Sequence, residues 1–207
     1  MKIINIGLKN KRTILLVVTF LLFIILTILM LNDNLIILDD IVHNFILSIR
    51  NNYLTTILKY ITHTATSYTL ILFTIILLIV IKNKKIPLFI MLNLIFSFTT
   101  NEIVKLIFKR DRPLGINLIE ETNYSYPSGH SMVGLAYYGF IIYLINKHIK
   151  SKKLKNTLTI TLIINILLVG FSRIYLGVHY LTDVIGGFLL GIIYLIIYTN
   201  IISLEKK

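Results

Sequence analysis

Long apolar runs, separated by short polar segments, set the pattern of this 207-residue chain. Each run approaches the roughly 20 residues that an α-helix needs to cross the hydrocarbon core of a bilayer. We therefore predict an all-α integral membrane bundle. Its six transmembrane helices are expected at residues 13–31, 64–81, 88–104, 128–147, 157–171 and 180–202.

A different pattern follows the first run. Between residues 38 and 49 the apolar positions recur at the spacing of an amphipathic helix. One face carries Leu38, Ile41, Val42, Phe45, Ile46 and Ile49. The other face carries Asp39, Asp40, His43 and Arg50. We interpret this segment as an extracytoplasmic helix that lies in the membrane interface.

Composition excludes a soluble domain of this size, because 56% of the residues are hydrophobic and the mean hydropathy is +0.84. Cysteine is absent, which excludes disulfides and thiolate metal sites. No linker rich in Pro, Ser or Gly divides the chain, so we predict a single domain over residues 1–207.

The formal net charge of +12 is arranged as in a membrane protein rather than in a nucleic-acid-binding protein. In the predicted topology, 14 of the 21 Lys and Arg residues lie in cytoplasmic segments with a single acid, Glu205. The other 7 basic and 8 acidic residues lie outside, in agreement with the positive-inside rule. Both termini are then cytoplasmic, and segments 105–126 and 172–183 share the extracytoplasmic face.

The basic N-terminus and the apolar run after it resemble the start of a signal peptide. No small-residue cleavage site follows, and the run is long enough to span a bilayer. We therefore expect it to remain as an uncleaved first helix.

The segment from Ser172 to Asp183 carries costly charges at a membrane surface. If it is helical from Val178 onward, His179 and Asp183 lie on one face, four residues apart. The carboxylate then holds the proton of one ring nitrogen and leaves the other nitrogen free as a nucleophile or base. Arg173 adds a forked positive charge suited to phosphate. The alternative interpretation is a surface ion pair at a helix end.

Two further clusters fall on the same predicted face. Lys105 and Arg112 supply fixed positive charges, although such a pair also occurs as a basic cap at a helix end. Ser128, Gly129 and His130 precede the fourth predicted span. A hydroxyl, a glycine and a helix N-terminus make an anion site. The same residues would also fit an ordinary N-cap turn with an interfacial histidine.

Together the three clusters offer cations, a helix N-terminus and two imidazoles, one of which has a carboxylate partner. Grouped carboxylates or thiolates that would indicate a metal are missing from the sequence. This combination matches metal-free phosphoryl transfer to histidine. The cations hold the equatorial oxygens, one imidazole attacks, and the other protonates the leaving oxygen.

The motifs Lys105-x6-Arg112-Pro113, Pro127-Ser128-Gly129-His130 and Ser172-Arg173-x5-His179-x3-Asp183 resemble those of the type 2 phosphatidic acid phosphatase (PAP2) superfamily. All three are complete and in the family's order. The six-span layout resembles the bacterial membrane branch, so the resemblance covers nearly the whole chain. Soluble vanadium haloperoxidases share the motifs, but the predicted spans argue against that branch.

The resemblance implies a role for each matching residue. His179 would form a phosphohistidine, Asp183 would orient it, and His130 would be the general acid. The phosphoryl oxygens would bind to Lys105, Arg112, Ser128, Gly129 and Arg173. The family requires no metal or other cofactor.

The implied function is a metal-independent lipid phosphatase that acts at the extracytoplasmic face. Candidate substrates are undecaprenyl diphosphate, phosphatidylglycerol phosphate and phosphatidic acid. The expected partners are this substrate and membrane lipids, without nucleic acid. The alternatives are a lipid phosphotransferase that uses the same site, and a non-catalytic membrane scaffold or transporter.

The remaining charged and small residues receive simpler interpretations. We expect Glu102 to pair with Lys105, with Asn101 in support, and Gly187 and Gly191 to serve helix packing. A surface position in the loop is expected for Lys109, Arg110, Asp111, Glu120 and Glu121, with Arg110 a further candidate ligand for a diphosphate.

We expect His179→Ala to abolish phosphate release, because the substitution removes the attacking nitrogen. His43→Ala, His63→Ala and His148→Ala should retain turnover, since the implied mechanism uses none of these histidines. A phosphatase assay in detergent measures all four variants. A normal rate for His179→Ala would refute its assignment as the nucleophile.

Overall fold

The computed structural model describes residues 2–113 and 117–204, with the side chains of 11–113 and 117–203. The charges predicted to be cytoplasmic at positions 2, 9 and 205–207 lie outside the described side chains. The described residues form helices and no strands. These helices are α1 (Lys2–Leu31), α2 (Ile36–Ile49), α3 (Asn52–His63), α4 (Ser67–Val80), α5 (Lys85–Phe108), α6 (Gly129–His148), α7 (Lys152–Tyr175) and α8 (Leu181–Leu204).

Helices α1, α5 and α7 are all longer than the apolar runs that predicted them, and α1 begins at Lys2 although its run begins at residue 13. Helix α5 continues through Lys105 to Phe108, and α7 begins at Lys152 and includes Arg173 in its last turn. The predicted spans 88–104 and 157–171 therefore give the apolar centres of these helices rather than their ends. Long basic side chains remain compatible with a helix, because their apolar stems cover the helix while the charge reaches a polar partner.

The second predicted span is divided between two helices. Helix α4 has 14 residues, about 21 Å at the rise of an α-helix, which is short for a hydrocarbon core of roughly 30 Å. Helix α3 precedes it after a short break, and the pair is bent by 49°. The Asn51 side chain caps α3 by accepting a hydrogen bond from the Leu54 N–H at 2.9 Å.

Among the described residues, α1, α5, α7 and α8 are long and apolar enough to cross a membrane. The bent pair of α3 and α4 makes a fifth candidate if it is one span. Helix α6 is outside this set. Large apolar side chains such as Ile14 and Ile25 point outward from α1 and are more than half exposed. An exposed surface of this kind is typical of helices that face lipid.

Helix α6 lies at the centre of the bundle and packs against α5, α7 and α8. Its side chains Tyr137 and Phe140 are fully buried in an apolar cluster with Leu70 and Ile90. Tyr137 and the Thr74 hydroxyl also share a hydrogen bond of 2.8 Å, so the phenol is satisfied inside the core.

Glycines in α8 allow a close approach to α6. A Cβ atom at Gly187 would lie 2.7 Å from the backbone oxygen of Ser128, and one at Gly191 would lie 3.0 Å from that of Met132. The distance at Gly187 is shorter than real Cβ contacts, and the one at Gly191 is tighter than most of them, so a larger residue at either position would require α6 to shift. The packing role predicted for Gly187 and Gly191 is therefore confirmed.

Helix α2 occupies the segment predicted to be amphipathic, but its burial differs from the expected pattern. Asp39, which was assigned to the polar face, is buried, whereas Ile41 and Phe45 on the apolar face are 61% exposed. Of the apolar face, Ile46 is buried against the bundle. Asp39 is therefore buried on the same side as Ile46, because it has a charged partner inside the bundle, and the interfacial position of α2 stays a prediction.

We expect Gly187→Ala to destabilise the protein by about 1–3 kcal/mol, because its Cβ would meet backbone of α6 that cannot rotate away. Gly139→Ala is a matched control. Its Cβ would meet only the end of the flexible Leu195 side chain, at 2.6 Å, so a smaller loss is expected. Thermal unfolding in detergent compares the two variants, and equal stability losses would contradict this packing argument.

Candidate active site

The three sequence clusters meet at one end of the bundle. Hydrogen bonds and ion pairs bring together the end of α5, the start of α6, the end of α7 and the start of α8. The backbone N–H of Ser128 donates to the carbonyl oxygen of Asp183 at 3.0 Å, which joins two of the clusters directly. Arg112, from the cluster that also contains Lys105, lies beside His179, so this cluster is in contact with the other two.

His179 and Asp183 are in contact as predicted, although they do not share a helix. Helix α8 begins at Leu181, so His179 precedes it and Asp183 lies in its first turn. Asp183 Oδ2 lies 3.4 Å from His179 Nδ1 and accepts a hydrogen bond from the Tyr180 N–H at 2.8 Å. The carboxylate therefore extends from the first turn of α8 back to the imidazole. Its negative charge lies at the N-terminus of α8, where the helix dipole stabilises it.

Ser125, which the sequence analysis missed, lies between these two side chains. Its hydroxyl donates to Asp183 Oδ2 at 2.5 Å and lies 3.2 Å from His179 Nδ1. Ser125 is fully buried three residues before Ser128, a spacing that gave no separate signal in the sequence. The hydroxyl extends the link between imidazole and carboxylate.

Arg112 indicates which nitrogen of His179 carries the proton. Its Nη1 lies 3.3 Å from His179 Nε2, and a guanidinium can only donate hydrogen bonds. Nε2 is therefore the acceptor, and the proton resides on Nδ1, beside Ser125 and Asp183. This network leaves the lone pair of Nε2 directed toward the cations.

Burial keeps the His179 ring neutral. The side chain is 2% exposed, and desolvation lowers its pKa to about 4, although the Asp183 carboxylate opposes this shift. At pH 7 the imidazole therefore has a free lone pair, as a nucleophile requires.

The predicted phosphate-binding cations are clustered and buried. Lys105 and Arg173 are 4% and 1% exposed, and Arg112 is partly buried. Lys105 Nζ lies 3.9 Å from Glu102, as expected for this pair. A cavity of about 570 Å³ is lined by Lys105, Arg112 and Glu121, among others.

Glu121 occupies a position among these cations and is not a free surface residue, so the surface prediction was wrong for it. Its carboxylate pairs with Arg173 Nη2 and lies 3.7 Å from Arg112 Nη2. Burial raises the pKa of Glu121, but the two arginines outweigh burial and leave that pKa below its ordinary value. Charged residues in a loop give the same sequence pattern whether they are solvated or paired with a buried charge. The sequence therefore did not distinguish Glu121 from its exposed neighbours.

The start of α6 contributes Ser128 and Gly129. Ser128 is the N-cap residue, but its hydroxyl makes no capping bond and instead accepts from Ser131 Oγ at 3.1 Å. A Cβ at Gly129 would lie 2.9 Å from Asn101 Oδ1 and 3.9 Å from Lys105 Nζ. Asn101 also donates to the Pro127 carbonyl at 3.3 Å. Gly129 thus lets the helix N-terminus approach Asn101 on α5 closely.

His130 stands in the first turn of α6 with a buried Nε2 atom that has no hydrogen-bond partner. It lies within electrostatic range of Arg173, His179, Lys105 and Arg112. The two histidines required by the sequence argument therefore belong to one cluster of charges. A buried ring nitrogen without a partner is available to a ligand atom.

Arg110 was predicted as loop surface or as an extra ligand for a diphosphate, and the surface prediction was wrong. Its guanidinium bonds to Asp39 at 2.8 Å, to Asp183 at 2.5 Å and to the Thr182 hydroxyl at 2.7 Å. The local spacing of Arg110 and Asp39 gave no sign of this pairing, because the two residues are 71 positions apart.

Residues 11–113 and 117–203 contain no group of three or more His, Asp or Glu side chains arranged to hold a metal ion. The reaction's independence of metal and of other cofactors stays a prediction.

Comparisons with known proteins agree with this geometry. A profile of the PAP2 superfamily matches residues 86–207. Phosphatidylglycerophosphatase B of Bacillus subtilis (strain 168) is 44% identical over 95 residues, which are 45% of this chain and 46% of that protein. The undecaprenyl-diphosphatase of Sulfolobus acidocaldarius is 33% identical over 124 residues, which are 57% of this chain and 56% of that protein. This chain thus aligns with about half the length of these two relatives.

Solved structures extend the likeness to the remaining helices. The crystal structure of a transmembrane PAP2 type phosphatidylglycerolphosphate phosphatase from Bacillus subtilis has a TM-score of 0.85 and 30% identity. It covers 93% of this chain and 98% of that one. The crystal structure of Aquifex aeolicus LpxE has a TM-score of 0.60 and 25% identity, and covers 76% of this chain and 92% of that one.

The profile match includes all three motifs, from Lys105 to Asp183, and more than half of the chain. The fold match adds the N-terminal helices, and several helices have the length and composition of membrane spans. This chain therefore belongs to the PAP2 superfamily, as a multi-pass membrane protein.

Proposed function

We propose that this protein is a membrane lipid phosphatase that hydrolyses a lipid phosphate or diphosphate through a phosphohistidine. One observation carries the proposal. His179 has a neutral ring with Nδ1 held by Ser125 and Asp183, and its Nε2 lies 3.3 Å from a member of a buried cation cluster. Such an arrangement positions a nucleophile against a bound phosphoryl group.

In the first step, His179 Nε2 attacks phosphorus and forms a P–N bond while the bond from phosphorus to the leaving oxygen breaks. His130 gives its proton to that oxygen, which leaves as an alcohol or a lipid monophosphate. Lys105, Arg112 and Arg173 stabilise the charge on the equatorial oxygens, together with N–H groups at the start of α6.

In the second step, water attacks the phosphohistidine and His130 accepts its proton. The P–N bond breaks, inorganic phosphate leaves, and both histidines return to their starting protonation states. Asp183 stabilises the ring while it carries positive charge. Loss of one preorganised donor to such a site typically costs roughly 100- to 1,000-fold in rate.

The position of Glu121 supports phosphate binding at the cation cluster. A carboxylate held by two arginines uses the same forked hydrogen bonds that hold phosphoryl oxygens. A phosphate carries more charge than a carboxylate, so it can replace Glu121 between Arg112 and Arg173.

We propose a topology of six crossings in a single domain over residues 1–207, made by α1, the bent pair α3–α4, and α5 to α8. Helix α2 would lie in the extracytoplasmic interface, beside the site. The basic loops at 82–85 and 147–155 follow the ends of α4 and α6 that lie away from the site. The positive-inside rule then favours cytoplasmic termini and an extracytoplasmic site.

For the substrate, we propose a lipid whose phosphate is exposed at that face, which favours a polyprenyl carrier such as undecaprenyl diphosphate. The similarity to phosphatidylglycerophosphatase B keeps phosphatidylglycerol phosphate as a candidate, and phosphatidic acid is the simplest analogue. A phosphotransferase would use the same first step and pass the phosphoryl group to a second lipid instead of water.

Purified protein in detergent should release inorganic phosphate from at least one of these three lipids, and should do so equally with a chelator present. The assay measures both free phosphate and phosphorylated lipid products. Release of phosphate would support a hydrolase, whereas transfer to a lipid acceptor would favour the phosphotransferase. Activity that disappears with chelator and returns with a divalent ion would contradict the metal-free mechanism.

We expect the His179 ring to stay neutral until the pH falls to about 4, because burial lowers its pKa from the ordinary value of about 6.5. Between pH 6.5 and 4 the unfolded state binds a proton at this histidine and the folded state does not. The free energy of unfolding therefore decreases as the pH falls from about 6.5 towards 4. A pH titration of ¹⁵N-histidine-labelled protein by NMR measures the midpoint, with the signal assigned by its loss in His179→Ala. A midpoint at 6.5 or above would contradict the buried neutral ring.

A further inference from the structure

A second buried charge network lies behind His179 and links the first and third motifs to α2. It connects Asp39 on α2, Arg110 in the segment after α5, and Asp183 in the first turn of α8. Arg110 Nη2 donates to Asp39 Oδ2 at 2.8 Å, and Arg110 Nη1 donates to Asp183 Oδ1 at 2.5 Å. One guanidinium therefore bridges two carboxylates whose side chains are both fully buried.

Further contacts fix the bridging guanidinium in place. Asp39 accepts hydrogen bonds from the Thr182 N–H at 3.0 Å and from the Thr182 hydroxyl at 2.6 Å. Arg110 Nη1 also donates to that hydroxyl at 2.7 Å, and the guanidinium lies over the Tyr180 ring at 4.3 Å. Hydrogen bonds from Thr182 therefore fix the position of the Asp39 carboxylate, and this carboxylate in turn fixes the position of the Arg110 guanidinium.

An anchor for α2 alone would not require a contact with Asp183. Ile46 already packs α2 into a buried cluster with Leu58 and Tyr175. The bond from Arg110 to Asp183 Oδ1 has a separate effect, because it fixes the rotation of the carboxylate. The other oxygen, Oδ2, is left to face Ser125 and Nδ1 of His179.

Arg110 lines the same cavity as Lys105 and Arg112, but its hydrogen bonds distinguish it from these two cations. Its bonds are to the carboxylate beside Nδ1, whereas the proposed nucleophile Nε2 faces Arg112. The Arg110 guanidinium is therefore bonded to the residue that orients His179 and to Asp39, whereas Arg112 lies at the proposed nucleophile.

We propose that Asp39 and Arg110 are a positioning pair for the nucleophile: Asp39 fixes Arg110, Arg110 fixes the Asp183 carboxylate, and this carboxylate holds the Nδ1–H tautomer of His179. The inference deepens the proposed phosphatase function and rests on it. Helix α2, outside the matched motifs, thereby contributes to the geometry of the reaction.

The kinetic test uses Asp39→Asn, Arg110→Lys, Arg110→Gln and the double variant Asp39→Asn/Arg110→Gln. Each single change should lower kcat by roughly 10- to 100-fold, with KM changed less than about twofold, because substrate contacts remain while nucleophile orientation is lost. Asp39→Asn should have no further effect in the Arg110→Gln background, since Asp39 acts through Arg110. Asp40→Asn and Lys109→Gln are matched controls on exposed neighbours and should keep the wild-type rate.

Several outcomes would overturn the proposal. A raised KM with unchanged kcat in Arg110→Lys would make Arg110 a substrate ligand. Unchanged kcat and KM with a lowered unfolding temperature in detergent would make the pair only an anchor for α2. If Arg110→Gln fails to fold, Arg110→Lys and Asp39→Asn decide between the roles, because Arg110→Lys keeps the positive charge and Asp39→Asn keeps the shape of the side chain.

A readout independent of turnover separates this inference from the proposed function. In ¹⁵N-histidine-labelled protein, the His179 signals should show a protonated Nδ1 in wild type and a changed pattern in Asp39→Asn and Arg110→Lys. Asp40→Asn should match wild type. An unchanged pattern in both variants would refute the positioning pair, whether or not any lipid is hydrolysed. A changed pattern in a protein that hydrolyses no lipid phosphate would support the pair and contradict the phosphatase proposal.

Discussion

Mutual compensation of buried charges is the constraint on which the site depends. Arg173 and Asp183 are almost or completely inaccessible, and an isolated charge at such a position is strongly unfavourable. Each has an opposite partner: Glu121 for Arg173 and Arg110 for Asp183. Because the partners come from distant parts of the chain, the site can form only when α2, α7, α8 and the segment after α5 are assembled.

Close helix packing converts this constraint into a defined geometry. Gly187 lets α8 approach α6 until the Ser128 N–H reaches the Asp183 carbonyl. That contact sets the distance between the N-terminus of α6, which carries His130, and the turn that carries His179. A fixed separation between the proposed acid and nucleophile is what a two-step transfer through one phosphohistidine requires.

The errors of the sequence analysis concern charged residues whose partners are far away in the chain. Asp39 was assigned to the polar face of an interfacial helix, yet its partner Arg110 lies 71 residues away. Glu121 and Ser125 looked like loop polarity because their contacts with Arg173 and Asp183 cannot be seen in local spacing. The ends of α5 and α7 were also underestimated, since hydropathy detects lipid-facing length and not helix length.

The sequence by itself determined the all-helical membrane class, the three motifs and the contact between His179 and Asp183. These follow from local periodicity, short spacing and the cost of charge at a membrane. Only the tertiary structure decided that Ser125 bridges these two side chains, that Glu121 lies among the cations, and that Arg110 faces Asp183 instead of solvent. Such choices depend on which buried charges meet after helix packing, and pairing at long range leaves no periodic trace along the chain.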